Sequence, residues 1–229
     1  MFLLYVGEAI KMIISLLNQK GGVGKSSLAR ALAVEFARNK WAVHVADLDG
    51  KQQTSFLWGE RRKESGVDPS IDVSLYSEPK TALKAANNAD ILIVDGKAFA
   101  DTHALPIAQK SDLIIIPVGI SVDDLEPSLK LAVEFVNKGI DRASIVFVVC
   151  RVPDKGDKEA MNTRASIEAW NFSVVRGWIP MKSAYSQAMD KGLSFTETPF
   201  KSLSDKTNKI IEQLFNKAIE QQTAKQGSA

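Results

Sequence analysis

The feature that most restricts the fold of this sequence is a glycine-rich loop at residues 20–27, placed between an apolar run and a helical pattern. The apolar run covers residues 12–17 and predicts a buried strand. Residues 26–38 predict a helix, because Leu28 and Leu32 belong to an apolar series at helical spacing. A strand that passes into a helix through such a loop presents the N–H groups of the helix N-terminus, which attract anions. The sequence therefore predicts a strand–loop–helix unit that binds phosphate.

The loop has the composition of a nucleotide-binding P-loop. Its glycines allow the backbone to curl, so that several N–H groups point at phosphate oxygens. Lys25 is expected to reach the β- and γ-phosphates, and the hydroxyl of Ser26 is expected to ligate Mg²⁺. The loop residues expected to contact the nucleotide are Lys20, Gly21, Gly22, Val23, Gly24, Lys25, Ser26 and Ser27.

The rest of the chain alternates short apolar runs with helical patterns. Further strands are predicted at residues 41–46, 71–76, 91–94, 113–118 and 144–150. Further helices are predicted at residues 79–86, 101–109, 123–137, 158–170 and about 203–221. Such alternation predicts an α/β fold of the P-loop NTPase type, a mostly parallel twisted sheet with helices on both faces. One domain is expected at residues 12–222, with an N-terminal extension at 1–11 and a flexible tail at 223–229.

Composition excludes several classes of protein. The chain has 229 residues and a single cysteine, Cys150, which excludes an internal disulfide framework and a four-cysteine metal site. That cysteine content suits a reducing cytoplasm, and a cytoplasmic protein is expected. The formal net charge of +2 does not by itself indicate a nucleic-acid binder. No apolar run is long enough to span a bilayer, so stable membrane insertion is not expected.

Acidic residues stand where a P-loop protein needs them, at strand ends. Asp47 and Asp49 follow the second predicted strand, and their spacing of two residues points both carboxylates to the same side. Asp95 ends the apolar run at residues 91–94 in the manner of a Walker B acid, and it is expected to hold Mg²⁺ through a water. Ser26 and Asp95 are therefore the magnesium residues predicted at this point.

The loop departs from the usual pattern G-x-x-x-x-G-K-[ST], whose first glycine would fall at Gln19. A lysine, Lys20, stands instead just before the glycine pair. This resembles the deviant Walker A box, KGGxxK[ST], of the ParA/MinD family. The resemblance implies a homodimer formed on ATP, in which Lys20 crosses the interface and contacts the partner's nucleotide, as an arginine finger does. The alternative for Lys20 is a solvated loop lysine.

The segment from Asp47 to Asp49 resembles the family's D-x-D switch I segment. The resemblance implies that Asp49 orients the attacking water and that Asp47 supports the magnesium shell. With Lys20 and Lys25, Asp49 completes the expected catalytic set. Residues 178–185 resemble the family's late I-P-x-[RK] segment, in which Pro180 would border the adenine.

Both switches depart from the sequences that are common in the family. Switch I is often D-x-D-P-Q, whereas Asp49 is followed here by residues 50–53 with the sequence Gly-Lys-Gln-Gln. Switch II reads Asp95-Gly96, a version similar to that of small, ParF-like plasmid partition ATPases. The resemblance covers about residues 12–220.

The expected nucleotides are ATP and ADP, with Mg²⁺. The guanine-binding motif N-K-x-D is absent, and residues 150–154 occupy the corresponding strand end. The resemblance implies non-specific DNA binding through basic surface, and so association of the ATP-bound form with the nucleoid. Charge alone favours an ordinary charged face. With no helix-turn-helix before the P-loop, a separate centromere-binding adaptor is expected. The basic residues concerned are Arg61, Arg62, Lys63, Arg176, Lys182, Lys191, Lys201, Lys206, Lys209 and Lys217.

Four functions stay open at this point. The first is a partition ATPase that hydrolyses ATP slowly under control of its adaptor. The second is a membrane-linked positioning ATPase of MinD type, which needs a basic amphipathic C-terminal helix. The third is a kinase or ligase with a small-molecule substrate. The fourth is a regulator that binds ATP without hydrolysing it, suggested by the altered switches.

Overall fold

The computed structural model describes residues 11–98 and 104–226, with the side chains of the last two excepted. Seven strands form one sheet in which every pairing is parallel, in the order β3-β2-β4-β1-β5-β6-β7. The strands are β1 Met12–Leu16, β2 Val43–Asp47, β3 Asp72–Leu75, β4 Ile91–Asp95, β5 Leu113–Val118, β6 Ile145–Val149 and β7 Ser173–Val174. The predicted α/β fold with a parallel sheet is confirmed.

Helices connect the strands and cover both faces of the sheet. They are α1 Lys25–Arg38, α2 Thr54–Glu64, α3 Pro79–Lys84, α4 Ala104–Ala108, α5 Val122–Asn137, α6 Asp157–Ala169, α7 Ser183–Asp190 and α8 Lys201–Gln226. Short 3₁₀ turns stand at Ala85–Asn88, Arg142–Ser144 and Phe195–Glu197. No helix within these described ranges is both long and apolar enough to cross a membrane.

The sheet separates two hydrophobic cores. One core packs Leu28 and Phe36 of α1 and Leu214 of α8 against one face. The other packs the opposite face against helices that include α5, which contributes the buried Phe135. Central strands must therefore be apolar on both sides, and β5 is buried along its whole length. This is why their sequences read as unbroken apolar runs.

The predicted strands and most predicted helices are confirmed to within a few residues. Helix α7 and the short strand β7 were missed. Residues 61–63 were expected on a helix and lie on α2, but the start of α2 at Thr54 was not predicted. Helix α2 has little apolar periodicity, because it buries Trp58 and the charged Arg62 instead of an aliphatic stripe. Helix α8 continues to Gln226, beyond the predicted end near residue 221. Residues 101–103 of the predicted helix at 101–109 lie outside the described residues.

Arg62 corrects the expectation that residues 61–63 present a basic surface. Its side chain is fully buried, and its Nη1 lies 2.8 Å from Oε2 of Glu197. Its guanidinium also donates to the carbonyl oxygens of Asp68, Pro69 and Gly192. Arg62 therefore ties α2 to the loop before α8 and is not available to contact DNA.

Glu197→Gln is expected to lower the free energy of unfolding by about 3 kcal/mol, because it leaves the charge of Arg62 buried without its counter-ion. Urea denaturation measures the change. The control is Glu35→Gln, which loses a more exposed ion pair with Arg38 and should cost about 0.5 kcal/mol or less. Equal losses in the two variants would contradict this account of the buried pair.

Candidate nucleotide-binding site

Three strand ends and the glycine-rich loop meet at the carboxyl edge of the sheet. Strand β4 lies between β1 and β2, and in its register Asp95 pairs with Leu16 on one side and Asp47 on the other. The loop from β1 to α1 therefore emerges beside both carboxylates. Open parallel sheets bind ligands at this edge, outside the carboxyl ends of their strands.

The glycine-rich loop has a backbone that side chains would disrupt. Gly22 and Gly24 have φ values of +72° and +109°. A Cβ on Gly22 would lie 3.2 Å from Nη1 of Arg151, and one on Gly24 would lie 3.6 Å from Sγ of Cys150. Helix α1 begins at Lys25, and no side chain in the described ranges caps its first turn. Its N–H groups and positive dipole end are therefore available to an anion.

Lys25 is positioned inside this loop. The residue is 7% exposed, and Nζ donates to the carbonyl oxygen of Lys20 at 2.8 Å. Burial lowers the pKa of the ammonium, while the nearby carboxylates of Asp95 and Asp49 oppose that change. The ammonium is partly desolvated and has one carbonyl partner. Exchanging that hydrogen bond for contacts with phosphate oxygens would stabilise it strongly, because hydrogen bonds between charged groups are the stronger ones.

A cavity of about 290 Å³ opens over the loop. It is lined by Gly21, Gly22, Gly24, Lys25, Ser26, Ser27, Arg30, Asp49, Gln52, Thr54, Asp95, Gly96, Ala98 and Met189. Loop, switch and strand-end residues predicted from sequence are thus brought together. Val23, which is 4% exposed, is not part of this described lining, so it can offer the nucleotide its backbone alone.

A second cavity of about 270 Å³ adjoins the first and shares Met189 and part of the glycine-rich loop with it. Its walls are more apolar. They are formed by Gly22, Gly24, Ser27, Cys150, Arg151, Ile179, Pro180, Met181, Lys182, Tyr185, Ser186, Met189 and Phe195. The pair of cavities has a polar end and an apolar end, which suits a phosphate chain joined to a base. Pro180, predicted to border the adenine, lies in the apolar end.

The oxygens near Asp95 fit a magnesium ion. Oδ2 of Asp95 accepts a hydrogen bond from Oγ of Ser55 at 2.6 Å, while its buried Oδ1 has no hydrogen-bond partner among the described residues. Ser26 Oγ lies close by and accepts from Oγ1 of Thr54 at 3.0 Å. Hydroxyl and carboxylate oxygens, one of them unpaired, are ligands that Mg²⁺ prefers, usually completed by waters and phosphate.

Asp95 is held in an environment that disfavours its charge. Burial and the neighbouring carboxylate of Asp47 raise its pKa to about 6. Hydrogen bonds from Ser55 and Ser26 and the charge of Arg30 act in the opposite direction. A divalent cation at Asp95 would remove this electrostatic cost, because it favours the ionised carboxylate.

Asp47 has a different position from the one expected for a magnesium residue. It is fully buried, and it is not part of the described lining of either cavity. Its Oδ1 accepts from the N–H of Asp49, and its Oδ2 accepts from the N–H groups of Ser55 and Phe56. Asp47 therefore caps the start of α2 and shapes the switch I turn. Its charge acts on Asp95, and it also holds the backbone of Ser55, whose hydroxyl donates to Asp95.

Asp49 lines the phosphate cavity at the tip of switch I. Its Oδ1 accepts from the N–H groups of Lys51 and Gln52, at 3.2 and 3.0 Å, and its carbonyl accepts from the N–H of Gln53. These bonds form a compact turn without the proline common in the family. The turn leaves the other carboxylate oxygen of Asp49 able to hold a water.

Lys20 lies apart from the phosphate cavity of its own chain. It is not part of the described lining, and its side chain is 42% exposed. Its Nζ lies 3.9 Å from Oδ1 of Asp124, at the start of α5. Its backbone is fixed, because its N–H donates to Oδ1 of Asn18. The lysine is thus anchored at its base with its charge directed to the surface.

Sequence reasoning missed several lining residues. Thr54 was missed because it belongs to α2, whose pattern is weak, and so was Ser55, which is buried behind the lining and donates to Asp95. Arg151 follows Cys150 in a left-handed conformation, with φ of +57°, and donates to the carbonyl oxygen of Gly22 at 2.7 Å. No local pattern signals such a contact. Arg30 could have been found, because it follows Ser26 by four residues and so lies on the same face of α1.

Asp95→Asn is expected to raise the free energy of unfolding by about 2–3 kcal/mol at about pH 8 in the absence of metal and nucleotide. The folded-state pKa of about 6 lies above the usual 3.8, so the folded protein takes up the proton first. The wild type therefore loses stability as the pH rises between those values, and the asparagine variant does not. The advantage should vanish near pH 4. Urea denaturation at both pH values measures it, and an equally stable or weaker variant at about pH 8 would contradict the assignment.

Comparisons with known proteins agree with this geometry. Residues 14–195 match the family described as the CobQ/CobB/MinD/ParA nucleotide binding domain. Over 190 residues the chain is 23% identical to the maintenance of carboxysome distribution protein A of Gloeobacter kilaueensis, covering 81% of this chain and 84% of that one. It is 21% identical to a probable plasmid-partitioning protein ParA of Thermus thermophilus, covering 96% and 83% of the two chains.

Among solved structures, a plasmid partition protein of Borrelia burgdorferi bound to AMPPNP superposes with a TM-score of 0.69 at 19% identity. The match covers 90% of this chain and 99% of that one, and at this identity it shows a shared fold. Residues 14–195, which match the family model, contain the glycine-rich loop, both switches and the residues of the apolar cavity. The chain therefore belongs to the ParA/MinD family of P-loop ATPases.

Proposed function

We propose that this protein is a partition ATPase: it binds MgATP, dimerises around it, binds DNA non-specifically and hydrolyses ATP slowly under the control of a partner protein. The observation that carries the proposal is the division of the two loop lysines. Lys25 is buried in its own phosphate cavity, whereas Lys20 stands outside that cavity on the surface. This division supports a role for Lys25 in binding the chain's own triphosphate and a role for Lys20 in contacting a second molecule.

The chemistry proposed for one subunit follows from the side chains at the cavity. Lys25 and the N–H groups of the loop bind the β- and γ-phosphates, and Ser26 and Asp95 hold Mg²⁺. The metal neutralises charge on the phosphates. Asp49 orients the attacking water at the open side of the cavity. Pro180 and its apolar neighbours enclose the adenine.

Dimerisation would complete the site. In the isolated chain the triphosphate meets Lys25 but not Lys20, and the surface position of Lys20 allows it to enter a partner's cavity. A charge supplied in this way stabilises the negative charge that develops during phosphoryl transfer. Hydrolysis would then depend on dimer formation. The rate of hydrolysis would set the lifetime of the ATP-bound dimer, and a partner protein could raise that rate.

A DNA-binding surface is proposed on the exposed lysines of α8 and the segment before it. Lys201, Lys206 and Lys209 are exposed, and Lys206 and Lys209 stand three residues apart, so these two are neighbours on one side of α8. Lys191 is also exposed, whereas Lys182 is paired with Asp154. Binding through such residues releases counterions from DNA and weakens steeply with salt. The names of the relatives, which refer to plasmid partitioning and carboxysome distribution, favour a cargo-positioning role.

Lys20→Ala is expected to abolish ATP-driven dimerisation while leaving the affinity of the monomer for MgATP within about threefold, because Lys20 lies outside its own cavity. Analytical ultracentrifugation with ATP, ADP and no nucleotide measures assembly, and equilibrium dialysis measures binding. Lys51→Ala, which removes another exposed loop lysine, is the control. A Lys20→Ala variant that still dimerises on ATP would overturn the proposed role of Lys20.

Asp49→Ala is expected to dimerise on ATP but to lose at least about 100-fold in turnover, because the attacking water is no longer oriented. Phosphate release is measured with DNA present and, once identified, with the partner protein. A wild type that dimerises and shows no turnover under those conditions would instead favour a regulator that does not hydrolyse ATP.

Co-sedimentation of the ATP-bound wild type with plasmid DNA tests the proposed DNA binding. We expect binding at low salt and its loss at raised salt. Binding to anionic vesicles in place of DNA would support the MinD-type alternative.

A further inference from the structure

Arg30 is a buried cation beside the magnesium site that the proposed function does not use. It lies on α1, one turn after Ser26, and lines the phosphate cavity while remaining 7% exposed. Arginine is rarely buried to this extent unless it is paired. Its Nε donates to Oγ of Ser55 at 3.3 Å, and the same hydroxyl donates to Oδ2 of Asp95. Arg30 is therefore linked to the metal carboxylate through one shared hydroxyl.

The charges around Arg30 are arranged about this link. Asp95 and Asp47, neighbours across β4 and β2, attract the guanidinium, while Arg61 on α2 repels it. Burial lowers the pKa of Arg30 to about 10, so the side chain still carries its charge at neutral pH. A permanent cation is thus held within reach of two buried carboxylates.

Packing alone does not account for this charge. The guanidinium carbon lies 5.8 Å from the centroid of the Trp58 ring, and Nη1 lies 3.7 Å from Sδ of Met189. An unbranched apolar side chain such as methionine could fill the same space between α1, α2 and α7. What it could not supply is a positive charge next to Asp95.

We propose that Arg30 is a resident counter-cation of Asp95 that makes binding of a divalent metal depend on the nucleotide. This inference rests on the proposed function of the same cavity and adds a positioning residue to it. Without nucleotide, Arg30 offsets the negative charge of Asp95 and Asp47 and repels a metal ion that approaches them. When a triphosphate is bound, its charges attract both cations, and the metal enters together with the phosphates.

Two measurements with opposite expected signs test the role of Arg30. Arg30→Met should bind Mn²⁺ alone, a spectroscopic substitute for Mg²⁺, about tenfold or more tightly than the wild type, because one repelling charge is removed. The same variant should bind ATP in EDTA about tenfold less tightly, because a cation near the phosphates is lost. Electron paramagnetic resonance measures free Mn²⁺, and fluorescence titration measures ATP. A structural defect would instead weaken the binding of both Mn²⁺ and ATP.

Arg30→Lys, which keeps the charge, should resemble the wild type in both measurements. The control Arg38→Met removes an exposed cation from the far end of the same helix and should change neither affinity. The proposal is overturned if Arg30→Met fails to strengthen Mn²⁺ binding, or if Arg30→Lys behaves as Arg30→Met does. Should the methionine variant not fold, Arg30→Gln takes its place. A wild type that does not bind ATP would defeat the proposed function, whereas the Mn²⁺ comparison needs no nucleotide.

Discussion

The structure depends on positive electrostatic potential that is concentrated at one edge of its sheet. The first turn of α1 carries N–H groups with no side-chain cap in the described part of the chain, and Lys25 is partly desolvated beside them. Together they form a concentration of positive potential that an anion would satisfy. Glycine is required at positions 22 and 24, because the φ values of +72° and +109° at Gly22 and Gly24 would be strained for a residue with a side chain. The loop conformation is thus fixed by backbone geometry before any ligand binds.

Opposite charges are placed just below that loop. The register of β2 and β4 sets Asp47 and Asp95 side by side in the interior, which is costly unless cations or hydrogen bonds compensate. Asp47 is compensated by backbone N–H groups at the start of α2. Asp95 is compensated in part, through Ser55, and it keeps one unpaired oxygen. The two carboxylates therefore differ: Asp47 fixes the switch I turn, and Asp95 keeps one oxygen that could accept a cation.

Much of this site could be predicted from the sequence, because its central parts are local. The glycine-rich loop, Ser26 and Lys25 are adjacent in the chain, and Asp95 ends an unmistakable apolar strand. Asp47 shows the limit of such reasoning. Its spacing from Asp49 is that of a paired acid, but its Oδ2 accepts from two N–H groups of α2, and α2 has too little apolar periodicity to reveal where it begins.

Residues that act through distant contacts were not predictable in this way. The burial of Arg62 depends on Glu197, far along the chain, so a run of basic residues suggested a surface that the fold removes. The spacing of Arg30 from Ser26 places it on the same face of α1, but it does not reveal its burial, because Trp58 and Met189 enclose it from two other helices. Long-range packing, which sequence spacing does not encode, decides whether such a cation is solvated or buried.

The central claim is that the glycine-rich loop and Lys25 bind a triphosphate. Isothermal titration of MgATP into the wild type and into Lys25→Ala tests it most directly. We expect one nucleotide per chain in the wild type and an affinity at least about 100-fold weaker in the variant, since the charge-assisted contacts to the phosphates are lost. Equal affinity in the two proteins, or no binding by a folded wild type, would contradict it.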